Sequence, residues 1–245
     1  MKSYRAADGS ERLWFEPDEI EVIMEDELHK AGLYPSTDQP TVNVEDFIEL
    51  HLKVKLDQHA VLDADVLGVT EFPKGKQPTI SINRDLSGLA VDLEDPLPGT
   101  VGRWRATLAH EAAHVLLHRI LFEFDENQGM LFETHSVDRT ETLMRCLKRE
   151  VSFGGAGKDW REVQANRGMA AMLMPRTTFH SVTRRVLVDN GDVGAAPLKE
   201  AEALVAASRL AELFRVSKQA AHIRLSTLGY LVTANPLLPL ETPAG

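Results

Sequence analysis

The chain has a single cysteine, Cys146, among 245 residues. No internal disulfide can form, and a reducing compartment is the default for such a chain. It has no apolar run near the ~18 residues that a spanning helix needs. Its opening residues, "MKSYRAADGSERLWFEP", lack the apolar stretch of a secretory signal. It also lacks positive charge: 27 Lys and Arg stand against 37 Asp and Glu, a net charge of −10. That balance excludes broad, non-specific binding to nucleic acid or to anionic membranes. There is no internal repeat and no low-complexity block. What remains is 43% hydrophobic and 26% charged, the composition of a soluble globular protein with one or two domains. A cytoplasmic location is expected.

Periodicity places the elements. "PDEIEVIMEDELHKA", from Pro17 to Ala31, has helical spacing through Ile20, Ile23, Met24 and Leu28, and Gly32 follows as a stop. A second helix is expected over Asn43 to Leu52. Three strands follow, from Lys53, from Val66 ("VLGVTEF") and from Pro78 ("PTISIN"), punctuated by Gly68 and Pro73 to Gly75. They suggest a small antiparallel meander. The turn-rich stretch from Asp85 to Gly99 reads as a loop, and Thr100 as the N-cap of a helix reaching about Phe122. A short helix is expected near Val137 to Glu150. Trp160 to Met174 is helical and stops at Pro175. Two more helices are expected over Leu198 to Leu213 and Lys218 to Leu228, before an extended tail.

The stretch "LAHEAAHVLLH", Leu108 to His118, sets histidines and a glutamate into an otherwise apolar helix. Residues i and i+4 share a helix face. His110 and His114 can therefore aim imidazole nitrogens at one ion, at about 2.0–2.1 Å each for zinc. Glu111 lies ~100° round the helix. A carboxylate there can take a proton from a water that the ion activates. By chance alone an HExxH match has odds of roughly a few per cent. The apolar neighbours from Ala106 to Leu121 strengthen it, because a buried carboxylate and two buried imidazoles need partners. A metal compensates all three together; the competing reading is a set of polar residues satisfied within the core. His118 continues the ladder but stands ~12 Å along the axis from His110. It is expected to end the helix or to support a ligand, not to bind the ion.

Two histidines leave a site short of its third protein ligand. Glu162, in "REVQAN", is favoured over Glu150 and Glu141. Asn166 lies one turn on, where its carbonyl can accept the distal N–H of a ligand histidine and fix the tautomer. Small residues (Ala165, Gly168, Ala170 and Ala171) would let this helix approach the first closely.

Three segments together resemble the ImmA/IrrE family of metallo-endopeptidases: "RWRATLAHEAAHVLLH" (103–118), "EVQANRGMAAMLMP" (162–175) and "LAELFRVSKQAAHIRLSTLGYL" (210–231). The resemblance runs from about residue 18 to 231. It implies an α+β gluzincin-type core: a small antiparallel sheet packed on the HExxH helix and on a glutamate-ligand helix, with a C-terminal helix-turn-helix-like segment. On that reading residues 1–178 form the metallopeptidase domain and 179–245 the helical subdomain. His110, His114 and Glu162 match the zinc ligands and Glu111 the catalytic base; manganese or iron could load instead. Known members cleave helix-turn-helix repressors and so switch on stress-response or mobile-element genes. Two features depart from the family pattern: a long linker between His114 and Glu162, and Gly168–Met169 where an aromatic followed by Ala is usual.

An extended substrate is expected to add a strand at a sheet edge, "PTISIN" or "VLGVTEF". His180, Tyr230, His222 and Arg224 are the candidates for stabilising the oxyanion. Residues 210–231 also fit a DNA-reading pair of helices, with Arg209, Arg215, Lys218 and Arg224 as its basic residues. The thin basic patch in an acidic chain favours plain packing over direct DNA binding. The rival to a protease is therefore a DNA- or repressor-binding regulator with a structural metal. No membrane partner is expected.

Overall fold

Helix α4 (Pro98–His118) opens on a proline in its first turn and is buried at every residue from Trp104 to Val115. A helix buried all round over this stretch lies inside the molecule, polar side chains included, and the other elements pack around it. The computed structural model describes residues 2–5, 11–73, 75–91, 96–123, 143–147, 159–189 and 197–231. The expected extended tail after Leu231 lies outside them. Among the described residues no helix is long and apolar enough to cross a membrane.

Helix α1 (Pro17–Ala31) buries Ile20, Met24 and Leu28 and ends on Gly32, whose φ of +69° supplies the left-handed cap. Two short strands precede it, β1 (Lys2–Arg5) and β2 (Glu11–Trp14), paired antiparallel. A short helical stretch, α2 (Val44–Asp46), is capped by Asn43 and runs on as a π-turn over Phe47–His51. The sheet holds β3 (Lys55–Ala60), β4 (Val66–Glu71), β5 (Thr79–Asn83) and β6 (Leu143–Leu147), in the order β3-β5-β4-β6. Ile80 and Ile82 are fully buried, as their alternation predicts.

The class is α+β, as expected, but the sheet is mixed. β5 is antiparallel to β4, while β3 is parallel to β5. The reason is topological: β3 returns into β4 through a short link, and β5 inserts between those two opposed strands. β5 is thus interior, and β4 carries β6 antiparallel on its other side. Neither strand named as a substrate edge is a border of this sheet.

Three further expectations are corrected. The supposed loop from Asp85 opens with helix α3 (Arg84–Ala90). Asn83 caps it by accepting from the Asp85 N–H, and it buries Leu86, Ser87 and Ala90. Thr100 is not the N-cap of α4; Leu97 is, and the helix yields to α5 (Ile120–Glu123). Residues 143–147, inside the stretch expected to be helical, form β6. Short apolar runs read equally well as helix or strand, and the unpaired backbone edge of β4 selects the strand. The rest of that stretch lies outside the described residues.

Helix α6 (Trp160–Leu173) starts at Asp159, whose side chain accepts from the Arg161 N–H. It lies along α4. A Cβ at Gly168 would stand 2.8 Å from the Ala113 Cβ, so the two backbones approach as closely as glycine permits. Helix α7 (Arg176–Asp189), not anticipated from the pattern, is followed by α8 (Glu200–Phe214) and α9 (Lys218–Thr227). The turn between α8 and α9 presses on α4, where a Cβ at Gly102 would meet the Ser217 N at 3.2 Å. A single buried cluster runs from Ile20 through Leu108 and Met169 to Leu225.

Candidate metal centre

α4 and α6 bring three side chains to one point. His110 Nε2 and His114 Nε2 are 3.0 Å apart, and Glu162 places one carboxylate oxygen 3.1 Å from His110 Nε2 and the other 3.3 Å from His114 Nε2. Both imidazoles are fully buried, and Glu162 is 7% exposed. Among the described residues this is the group of His, Cys, Asp or Glu side chains close enough to share an ion. Donors held at about 2.05 Å around a tetrahedral ion stand ~3.3 Å from one another. The observed separations fall just inside that, so the pocket fits a divalent ion with little adjustment. Glu150 and Glu141, the rival ligands, lie outside the described residues.

The electrostatics suit a cation. Burial alone would raise the Glu162 carboxyl, but hydrogen bonds from His110 and His114 outweigh it and hold it well below the usual carboxylate range. Burial pulls both histidines down. Glu162 and Glu111 turn His110 upward overall, while His114, beside His110, stays lowered. Two imidazoles and an ionised carboxylate are the donor set that a divalent transition metal takes.

The far sides of the rings are also held. His110 Nδ1 lies 3.2 Å from Asn166 Oδ1, one turn along α6 from Glu162. His114 Nδ1 lies 2.9 Å from His118 Nδ1. His118 is thus fully buried but faces the side of the His114 ring away from the cluster. Its ring and that of Trp160 stand perpendicular, 5.6 Å apart between centroids.

Glu111 is set from the sheet. Thr70 Oγ1 donates to Glu111 Oε2 at 2.5 Å. Beneath the same carboxylate lies Gly68, where a Cβ would stand 2.8 Å from Oε1. Sequence reasoning took Gly68 only as punctuation and passed over Thr70. The usable signal was a glycine inside a strand, which marks a close approach by another group.

The four oxyanion candidates are engaged elsewhere. Arg224 is 4% exposed, pairs with Glu21 and donates to the Met174 carbonyl at the far end of α6. Met174 is ~18 Å along the helix from Glu162 at ~1.5 Å per residue. His180 feels the charges of Arg176, Arg224 and Glu21 at that same end and bonds the Tyr230 hydroxyl at 2.6 Å. His222 lies 3.0 Å from Glu200. Arg224, His180 and Tyr230 thus gather at the end of α6 away from the metal cluster.

A helix carrying HExxH, a glutamate from a second helix and a strand over the motif's own glutamate together define a metallopeptidase-type site. The family model described as the IrrE N-terminal-like domain (Peptidase_M78) matches residues 100–226, just over half of the chain. The protein belongs to that family. No curated protein matches it.

Proposed function

We propose that the protein is a zinc-dependent endopeptidase of the cytoplasm that cleaves a helix-turn-helix repressor and so derepresses stress-response or mobile-element genes. The observation that carries the peptidase reading is the convergence of His110, His114 and Glu162, with Glu111 held beside them by Thr70 and Gly68. The repressor as target rests on what the family implies.

His110, His114 and Glu162 would hold a divalent ion, which would supply a Lewis acid for the scissile carbonyl and for the attacking water. Zinc suits the donor set, and manganese or iron can occupy it. Glu111 accepts a proton from the attacking water as its oxygen bonds to the carbonyl carbon. When the C–N bond breaks, Glu111 delivers that proton to the leaving amine. Thr70 keeps the carboxylate turned toward the site throughout. Asn166 orients His110. An extended substrate adding on this side of the sheet pairs with β6, an outer strand among the described residues.

The regulator reading is less well supported, because Arg224, one of its basic residues, is spent inside the protein on Glu21 and Met174. Metal analysis of wild type beside His110→Ala, followed by incubation with the helix-turn-helix repressor encoded next door, tests the proposal. Glu111→Gln should keep the metal and lose cleavage. A wild type without stoichiometric metal, or a Glu111→Gln variant that still cuts, sinks it.

A further inference from the structure

His118 is a buried histidine that the hydrolytic chemistry does not use. It lies one turn beyond His114 on α4, is fully buried, and meets His114 nitrogen to nitrogen at 2.9 Å. Only one proton fits between two imidazole nitrogens, so one ring donates and the other accepts. The geometry of the cluster decides which. His114 turns Nε2 toward His110 and Glu162. If that nitrogen is to offer a lone pair to an ion, the His114 proton must sit on Nδ1. His118 Nδ1 is then the acceptor, and its own proton sits on Nε2, on the side of its ring away from His114.

We infer that His118 is a positioning residue, which accepts the His114 Nδ1–H when Nε2 takes an ion and so stabilises His114 in the tautomer that binds metal. The inference rests on the metal reading of the site. It makes the two ligand histidines a matched pair, because Asn166 accepts from His110 as His118 accepts from His114. Ligand histidines usually donate to a carboxylate, a carbonyl or water. Here one acceptor is another imidazole, on the ligand's own helix. The i, i+4 spacing that aims His110 and His114 at a shared point is used a second time, between His114 and His118, for support. The ring of His114 stands between His118 and the cluster, so His118 does not act as a further ligand.

Three substitutions separate the role from plain packing. Asn places its amide oxygen where Nδ1 of histidine was. Gln carries its polar atoms about one bond further out. Leu fills the space without an acceptor. Proton and nitrogen-15 spectra of histidine-labelled, zinc-loaded protein at neutral pH read the His114 Nδ1–H. Wild type and His118→Asn should show that proton in a hydrogen bond, shifted downfield and slow to exchange, whereas His118→Gln and His118→Leu should lose the shift. Zinc affinity, from competition with a chromogenic chelator, should fall about 10–100-fold in His118→Gln and His118→Leu and stay near wild type in His118→Asn. If His118→Leu does not fold, the comparison of Asn with Gln still decides. An equal Nδ1–H signal and equal affinity in Asn and Gln, with metal-free melting curves like wild type, would overturn the inference. A wild type that binds no zinc would instead sink the metal reading, and the inference with it.

Discussion

Gly68 in β4 and Glu111 in α4 are in contact across the junction of sheet and helix. A methyl group on Gly68 would stand 2.8 Å from Glu111 Oε1 and 2.8 Å from the Thr107 Cγ2. Both obstacles are held, one by its bond to Thr70 and the other by the rigid χ1 of a β-branched residue. Gly68→Ala should therefore push the Glu111 carboxylate off its position and leave His110, His114 and Glu162 where they are. A displacement near 1 Å at a reacting group costs about 100-fold in rate. The expected outcome is a fall of that order in kcat/KM on the cognate repressor with zinc content unchanged. A Gly68→Ala variant that cleaves at the wild-type rate would show that Glu111 is not the base, or that it does not act from this position.

Gly168 sets the distance between the two ligand helices. The added Cβ of Gly168→Ala would meet the Ala113 Cβ at 2.8 Å and the Met24 Cε at 2.9 Å. Met24 can swing its terminal methyl aside, but Ala113 is fixed to the α4 backbone. Alanine gains about 1 kcal/mol in helix propensity over glycine, and overpacking costs about 1–3 kcal/mol. The balance is a net loss of stability, read as a lower urea midpoint at constant m. α6 also carries Glu162, so zinc affinity should weaken alongside. A gain in stability would mean that the helices are free to part.

Much of the centre was legible in the sequence. The i, i+4 spacing of His110 and His114 and the helical position of Glu162 need only helix geometry, and they converge in the fold. So does the small residue Gly168 at the helix contact. The strand side was not legible. Thr70 and Gly68 reach Glu111 only because β4 lies over α4, and no local pattern encodes which strand covers which helix. The same holds for the parallel pairing of β3 with β5, which follows from β5 inserting between strands joined in sequence. Helix α3 was missed because turn-forming residues such as Asp85 and Ser87 also serve at a helix start, here under the Asn83 cap. The partner of His118 was only partly foreseen: spacing kept it from the ion, but the nitrogen-to-nitrogen contact needed coordinates.

Glu27 gives acid sensitivity a defined origin. Its carboxylate lies 2.6 Å from the Lys30 Nζ and 2.7 Å from the His51 Nε2, tying α1 to the π-turn. Partial burial works against ionisation, but the bonds to Lys30 and His51 outweigh it and lower the Glu27 carboxyl below its ordinary value of 4.5. A carboxyl lowered by folding contributes stability above its unfolded value, and that contribution is lost as pH falls through the folded one. Glu27→Gln should therefore melt below wild type at pH 7, and the gap should close as pH drops below 4.5. A gap that stays constant from neutral pH down into the acid range would mean that the charge on Glu27 contributes nothing.

Arg224 joins α9 to two other helices. Its guanidinium pairs with Glu21 of α1 and donates through Nε and Nη2 to the Met174 carbonyl just past the end of α6. Arg224 is 4% exposed and the Glu21 side chain 12%, so removing the cation strands a carboxylate and a carbonyl in a poorly solvated place. Breaking one partner of such a pair costs about 3–5 kcal/mol. Arg224→Met, which keeps the length of the stem, should lower stability by roughly the smaller of those figures, because Glu21 retains some water. Glu21→Gln combined with Arg224→Met should recover part of the loss by removing the stranded charge. If α9 instead read DNA through this residue, Arg224→Met would abolish a gel shift while leaving the melting temperature intact. The packing predicts the opposite: a lowered melting temperature, with every functional loss following from it.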